Sequence, residues 1–332
     1  MTQLAQDISV IICTYTENRW NEFIAAVRSV QQQTLPPGEI IVVVDHNQDL
    51  LKRVQENVPG VVVVGNIEAH GLSGARNSGI AVAKGQIVTF LDDDALASPD
   101  WLMMLNEAFS DSKVLGAGGP VIPLWLDNEP SWLPEEFHWV VGCTYLGLPQ
   151  TIKIIRNPIG ANMSFRREVF NMVGGFRSGI GRVGTRPLGC EETELCIRAR
   201  QCWPHYVFLY QPQASVLHRV PANRTCWRYF CSRCYSEGLS KAIISRYVGV
   251  RDSLASERAY TLRTLPYGIL RGLTDTLIHH DQTGLARAGA ILAGLAVTTA
   301  GYIIGTIAQR LALRKEAGIN ANPSFQTFTV PK

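Results

Sequence analysis

Gln86-Ile-Val-Thr-Phe-Leu-Asp-Asp-Asp94 is an apolar, β-branched and aromatic run that stops on three consecutive carboxylates. Its length and composition predict a buried strand. Ala95 and Pro99 follow closely, so the aspartates fall in a tight turn at the strand's carboxyl end. Adjacent carboxylates repel one another unless a cation or a strong donor set offsets them. Hard divalent ions such as Mg²⁺ or Mn²⁺ do this with few carboxylates and keep positions for phosphate oxygens. Aspartate is also favoured at helix starts, and Pro99-Asp100 opens one, but a cap needs a single Asp. Three after a hydrophobic strand predict metal–diphosphate binding.

Upstream, Ile8-Ser-Val-Ile-Ile-Cys13 and Glu39-Ile-Ile-Val-Val-Val44 are two further buried runs, and Val61 to Val64 is a third. Between them lie a helical stretch from about Arg19 to Gln33 and a second from Gly71 through Ala83. Continuous β-branched strands alternating with helices predict an α/β fold: a Rossmann-like, mostly parallel sheet with helices on both faces. Such sheets bind ligands beyond the carboxyl ends of their strands. Those ends carry Cys13-Thr14-Tyr15, Asp45 and Asp92-Asp93-Asp94, so polar groups converge on one edge.

Two later pieces add chemistry. In Gly189-Cys-Glu-Glu-Thr-Glu-Leu-Cys-Ile-Arg198, Glu191, Glu192 and Glu194 crowd a helix start, where the helix dipole favours carboxylates. The same crowding suits a general base whose pKa is tuned by neighbouring charge. His218 closes the run Ala214-Ser-Val-Leu-His218, where a ring nitrogen could complete a metal site or simply be structural.

The 332 residues are 46% hydrophobic and 18% charged, which excludes disorder, collagen and a disulfide miniprotein and suits a catalytic domain with an appendage. Residues 1 to 218 carry 16 Lys/Arg against 22 Asp/Glu, a net of −6; residues 219 to 332 carry 15 against 6, a net of +9. An acidic front argues against nucleic acid as a partner, and a basic rear suits an anionic membrane surface or docking on the acidic front. Met1 to Asp7 shows no secretory signal, so the eight cysteines read as reduced thiols on the cytoplasmic side. Cys231 and Cys234 have C-x-x-C spacing but no second ligand pair, so packing is the expectation.

In the rear, helical periodicity from about Ala222 to Tyr247 sets Arg224, Arg228, Arg233, Lys241 and Arg246 among aromatics, predicting a basic amphipathic helix on a membrane surface. Arg271 and Asp275 argue against a span over 260–280. Ala288 to Gln309 has 22 residues without a charge and is long enough to cross a bilayer. A single span would put Arg310, Arg314 and Lys315 opposite a cytoplasmic site, against the positive-inside tendency. An in-plane or re-entrant helix, or packing between subunits of a homo-oligomer, avoids that conflict. The expected organisation is a catalytic domain over 1–221, surface helices over 222–284, an apolar helix over 285–311 and a tail over 312–332.

The order of the pieces resembles an inverting glycosyltransferase of family 2 with the GT-A fold. The matching stretches are Val10 to Tyr15, Ile41 to Asp45, Gly71-Leu-Ser-Gly-Ala-Arg-Asn-Ser-Gly79, Phe90 to Asp94, Gly160-Ala-Asn-Met-Ser-Phe-Arg166, Glu191-Glu192 and His218-Arg-Val-Pro221. The resemblance spans about residues 8 to 246. It implies a nucleotide-sugar donor, usually a uridine or guanosine diphosphate sugar, contacted by Thr14, Tyr15, Asp45, Arg76, Asn77, Asp92 and Asp93. It implies a divalent metal, Mn²⁺ or Mg²⁺, on Asp94, Asp92 and His218, and a base at Glu192. The family usually has Glu-Asp where this chain has Glu191-Glu192, so Glu191 is a second candidate. Asn162 and Arg182 fall where an acceptor would approach, and the glycine-rich stretch Gly179 to Arg186 suits a lid over phosphate.

The Gln-x-x-Arg-Trp pattern of processive synthases is missing, the nearest stretch being Asn223-Arg-Thr-Cys-Trp227, so one sugar per encounter is expected. The membrane-facing rear suggests a lipid-linked or glycan acceptor, and the sequence broadly resembles glucuronosyl- and glucosyltransferases acting on dolichyl-phosphate-linked sugars. Two other classes use similar pieces. A nucleotidyltransferase would release pyrophosphate, and a non-catalytic membrane scaffold would have no use for crowded carboxylates.

Overall fold

The computed structural model describes residues 7–182 and 188–320. The first half runs β1 (Ile8–Thr14), α1 (Trp20–Gln31), β2 (Glu39–Val44), α2 (Gln48–Asn57), β3 (Val62–Gly65), α3 (Leu72–Val82), β4 (Ile87–Asp92), β5 (Ala95–Ala97), α4 (Trp101–Ala108), β6 (Val114–Gly118) and β7 (Val121–Trp125). It continues with β8 (Lys153–Ile155), β9 (Asn162–Arg166), α5 (Arg167–Val173), α6 (Glu191–Cys202), β10 (Val207–Tyr210) and β11 (Val216–Val220). Helices then take over: α7 (Trp227–Val248), α8 (Val250–Ser253), α9 (Ala255–Ala259), α10 (Leu265–Ile278) and α11 (Thr283–Asn320).

Eight strands form one sheet in the order β3-β2-β1-β4-β9-β6-β10-β8. β3, β2, β1 and β4 are mutually parallel, as the β-branched runs predict, and β9 enters antiparallel between β4 and β6. Alternate residues of each parallel strand feed opposite faces, so β1 gives Val10 and Ile12 to one core and Ile11 to the other. A small second sheet, β5-β11-β7, sets His218 on β11 opposite Ala95 on β5, one residue beyond the aspartate turn. That pairing brings a histidine far along the chain onto the aspartates.

Asn162 departs from its expected place near an acceptor. It is fully buried, accepts from Trp101 Nε1 at 2.8 Å and donates to the carbonyls of Ala214 at 2.7 Å and Pro120 at 3.1 Å. These bonds tie β9 to α4 and to the start of β11, so Asn162 is a structural fastener.

The rear of the chain departs in part from a basic surface helix, for Arg228 and Arg246 are exposed while other cations are not. α7 is packed on both sides, and Arg233 and Lys241 turn inward toward carboxylates. Gly238 of α7 meets α11 so closely that a Cβ there would strike the Thr298 carbonyl and lie 2.6 Å from the Tyr302 nitrogen. α10 runs back along the start of α11, and its two charges point into the protein: Arg271 to Glu136 at 3.1 Å, Asp275 to Arg287 at 2.8 Å. The outer face left to α10 is apolar, with Leu262 just before it and Tyr267, Leu270 and Leu277 on it all exposed. Cys234 packs with Phe230, Leu265 and Ile291, as expected of a packing thiol. Among the described residues α11 is the one helix long and apolar enough to cross a membrane, over the 29 residues Thr283–Leu311. At 1.5 Å per residue that is about 43 Å, more than the ~30 Å of bilayer hydrocarbon.

Candidate active site

The carboxyl ends of β1 and β4, the start of α6 and the inner sides of α7, α10 and α11 enclose one cavity of about 1080 Å³. Thr14, Tyr15, Asp45 and the three aspartates line one end, and Glu192 lines it nearer the helices.

At the aspartate turn, Asp94 is buried and surrounded by cations. Its Oδ2 lies 2.9 Å from Arg19 and 3.5 Å from Arg224, and its Oδ1 lies 3.2 Å from His218 Nε2. Burial would raise the Asp94 pKa, but His218, Arg224 and Arg19 together outweigh it and hold the carboxyl well below the usual range. Asp93 turns the other way: burial pushes it up to about 7, with Arg19 at 2.9 Å opposing. Asp92, Asp94 and His218 each offer a ligand atom within 4.8 Å of the others. Two carboxylate oxygens and an imidazole nitrogen suit Mn²⁺ or Mg²⁺. Arg19 and Arg224 at this turn are not legible in the sequence; Arg19 lies 75 residues from Asp94, and nothing local marks the pairing.

Arg76 is a strut. Only 2% of its side chain is exposed; Nη1 holds Glu191 at 2.8 Å, and Nη2 reaches Asp92 at 3.4 Å and the Gly160 carbonyl at 3.1 Å. Burial disfavours its charge, but Glu191 and Asp92 more than compensate and raise its pKa. Arg76 thus positions two carboxylates from the cavity wall. Asn77 is likewise committed within the protein. Its amide donates to the Phe176 carbonyl and accepts from the Phe176 nitrogen, both at 2.8 Å, fastening α3 to the loop after α5.

Of the two glutamates, the ion pair with Arg76 takes Glu191. Glu192, half-buried and lining the cavity, is pushed up to about 7, first by burial and then by the Glu191 charge. Cys190, left-handed at φ 72°, sits at the cap position of α6, immediately before the two glutamates. A carboxyl poised near neutrality can accept a proton at working pH.

Asp45 braces a turn at the cavity's edge. Its two oxygens accept from Asn66 Nδ2 at 2.6 Å and from the Gly71 nitrogen at 3.0 Å, holding the turn that opens α3. Gly71 sits at φ 124°, a conformation side chains rarely adopt. Tyr15 is about half exposed at the cavity edge, with the Arg19 guanidinium 5.0 Å from its ring centre. His70, which the sequence does not single out, lines the same end 3.7 Å from Asp45. Arg182 lines the cavity. Burial opposes its charge, yet Tyr229, Asp92, Asp94 and Glu191 around it prevail and raise its pKa. The rest of the expected lid, residues 183 to 186, lies outside the described residues.

A sequence profile of the family described as glycosyl transferase family 2 matches residues 9–174. A glucosyl-dolichyl phosphate glucuronosyltransferase of Haloferax volcanii is 32% identical over 312 residues, covering 92% of this chain and 97% of the relative. The succinoglycan biosynthesis protein ExoM of Rhizobium meliloti is 24% identical, covering 77% of each chain. Among solved structures, the mannosyltransferase PcManGT from Pyrobaculum calidifontis, in complex with GDP-Man and Mn²⁺, superposes with a TM-score of 0.54 at 17% identity. That match covers 88% of this chain and 86% of PcManGT, a likeness of fold.

Proposed function

The chain belongs to glycosyl transferase family 2, and from that premise we propose that it moves one sugar from a uridine diphosphate sugar to a hydroxyl of a lipid-linked acceptor at a membrane. The transfer is a single displacement with inversion. The observation that carries this reading is Glu192: a half-buried carboxyl, poised near neutrality, lining the same cavity as the aspartate turn. Glu192 takes the proton of the acceptor hydroxyl as the oxygen attacks the anomeric carbon. Glu191 is held by Arg76 and raises the basicity of Glu192 by its charge. Thr14, Tyr15 and Asp45 hold the nucleoside end. Asp92, Asp94 and His218 would hold a divalent ion, which when bound offsets charge on the departing diphosphate. Arg19 and Arg224 keep Asp94 ionised for that role.

The membrane reading rests on the apolar outer face of α10 and on the length of α11. The name of the Haloferax volcanii relative supports a lipid-linked acceptor. The catalytic edge then lies at the cytoplasmic face.

The test is nucleoside diphosphate release from a panel of nucleotide-sugars with Mn²⁺, using a membrane lipid extract as acceptor. Release from one donor, lost in Asp94→Ala and Glu192→Gln, is the expected result. Release of pyrophosphate instead would assign a nucleotidyltransferase, and no release from any donor would favour a scaffold.

A further inference from the structure

Beyond Glu192 the cavity runs between α6, α7 and the turn before α10, and its wall there is charged. Arg156 sits at 2.7 Å from Glu257, and Lys241 at 2.6 Å from the same carboxylate. Lys241 and Arg233 each lie 3.5 Å from Glu237. Three cations therefore share two carboxylates, all five lining the cavity. Arg258 and Arg263 line it too, and both are exposed at its mouth. Among the described residues the charge at this end is five positive against two negative, in a partly desolvated space where excess charge draws an anion strongly.

The backbone at this mouth is irregular. Tyr260–Thr264 forms a single π-helical turn between α9 and α10, and all its residues line the cavity. Such turns are rare and often mark functional sites. Leu262 in that turn is 75% exposed, and the apolar outer face of α10 continues from it. A positive pocket thus opens directly onto an apolar surface. An anion with a long apolar tail fits both features at once.

We propose that this end of the cavity is a phosphodiester subsite, in which Arg258 and Arg263, backed by Arg156 and Lys241, hold the phosphate of a polyprenyl-phosphate-linked acceptor sugar. The inference rests on the lipid-linked reading above and adds the residues that would select the acceptor. The phosphate sits at the charged mouth, the polyprenyl chain leaves along α10, and the sugar extends inward to Glu192. Arg258 and Arg263 touch the acceptor's phosphate and take no part in the displacement.

The test uses the full chain in neutral detergent with two acceptors of equal chain length, a polyprenyl phosphoglucose and an alkyl glucoside without phosphate. Wild-type protein is expected to show a KM at least tenfold lower for the phosphodiester. In the Arg258→Gln/Arg263→Gln variant that KM rises about tenfold, kcat holds, and the KM for the glucoside is unchanged. Arg246→Gln, an exposed cation outside the cavity, serves as the control and leaves both values alone. A wild-type protein that uses both acceptors equally, or a double variant with an unchanged KM ratio, overturns the subsite while leaving the transferase reading intact. Transfer to neither acceptor, with transfer to another extract component, overturns the lipid-phosphate reading itself. Sedimentation with phosphatidylglycerol vesicles separates the remaining source of phosphate. Binding that falls in the double variant while the KM ratio stays fixed assigns the two arginines to membrane headgroups and overturns the proposal.

Discussion

If Glu192 is the base, the rate must follow its ionisation. Burial and the Glu191 charge place the Glu192 carboxyl at about 7. With a single ionisation there, the deprotonated fraction is about one tenth at pH 6 and about nine tenths at pH 8. The value of kcat/KM should therefore rise roughly tenfold across that interval and then level off. The sign follows from the chemistry: only the carboxylate can accept the hydroxyl proton, so activity is lost as pH falls. Metal loading also weakens in acid, because ligands must be deprotonated to bind. The profile is therefore measured at several Mn²⁺ concentrations, up to saturation, by coupled detection of nucleoside diphosphate. Glu192→Gln should lower kcat by about 10²- to 10⁴-fold and abolish the inflection. Glu191→Gln removes a neighbouring negative charge, so the midpoint should move toward acid. A profile flat from pH 5.5 to 8 at saturating metal would refute the assignment, as would a Glu192→Gln variant with near-normal kcat.

Three other changes probe the supports. Arg76→Met leaves Glu191 buried without its cation and should destabilise the fold by about 3–5 kcal/mol, while adding Glu191→Gln should restore most of it; thermal melts of the two variants decide this. His218→Gln removes one of three clustered ligand groups and should raise the Mn²⁺ concentration for half-maximal activity about tenfold or more, read from metal titrations. Gly238→Val drives a side chain into the α11 backbone and should cost about 1–3 kcal/mol, seen as a lower melting temperature, whereas the exposed control Arg246→Gln should melt as wild type.

Sequence and structure agree most closely where the signal is local. The runs at Ile8, Glu39, Val62 and Ile87 declare parallel strands by composition, and the structure pairs them in that way, with β3 at the sheet edge and partly exposed. The aspartate turn is legible for the same reason: carboxylates crowded onto the end of a buried strand cost free energy unless something offsets their charge. Nothing local in the sequence decides whether His218 is a ligand or structural, and the β5–β11 pairing is what sets it beside that turn. Asn162 and Asn77 depart from their expected places because a polar side chain's direction depends on partners far along the chain. Asn162 answers to Trp101 and Ala214, and Asn77 to Phe176.

Three features thus follow from the order of residues without any folding: the α/β sheet, the edge on which polar groups gather and the apolar length of the last helix. Each arises from residue type repeated at a fixed period within one segment. Which glutamate is held in an ion pair is a tertiary matter, because the partner of Glu191 is Arg76, 115 residues away, while both glutamates line the cavity. Folding likewise turns Lys241 inward onto Glu257, where Arg156, 101 residues from that glutamate along the chain, meets the same carboxylate, a departure from the surface helix that periodicity suggests. Long-range electrostatics between buried groups leaves no periodic trace in a chain, and it emerges only when the fold brings those charges together.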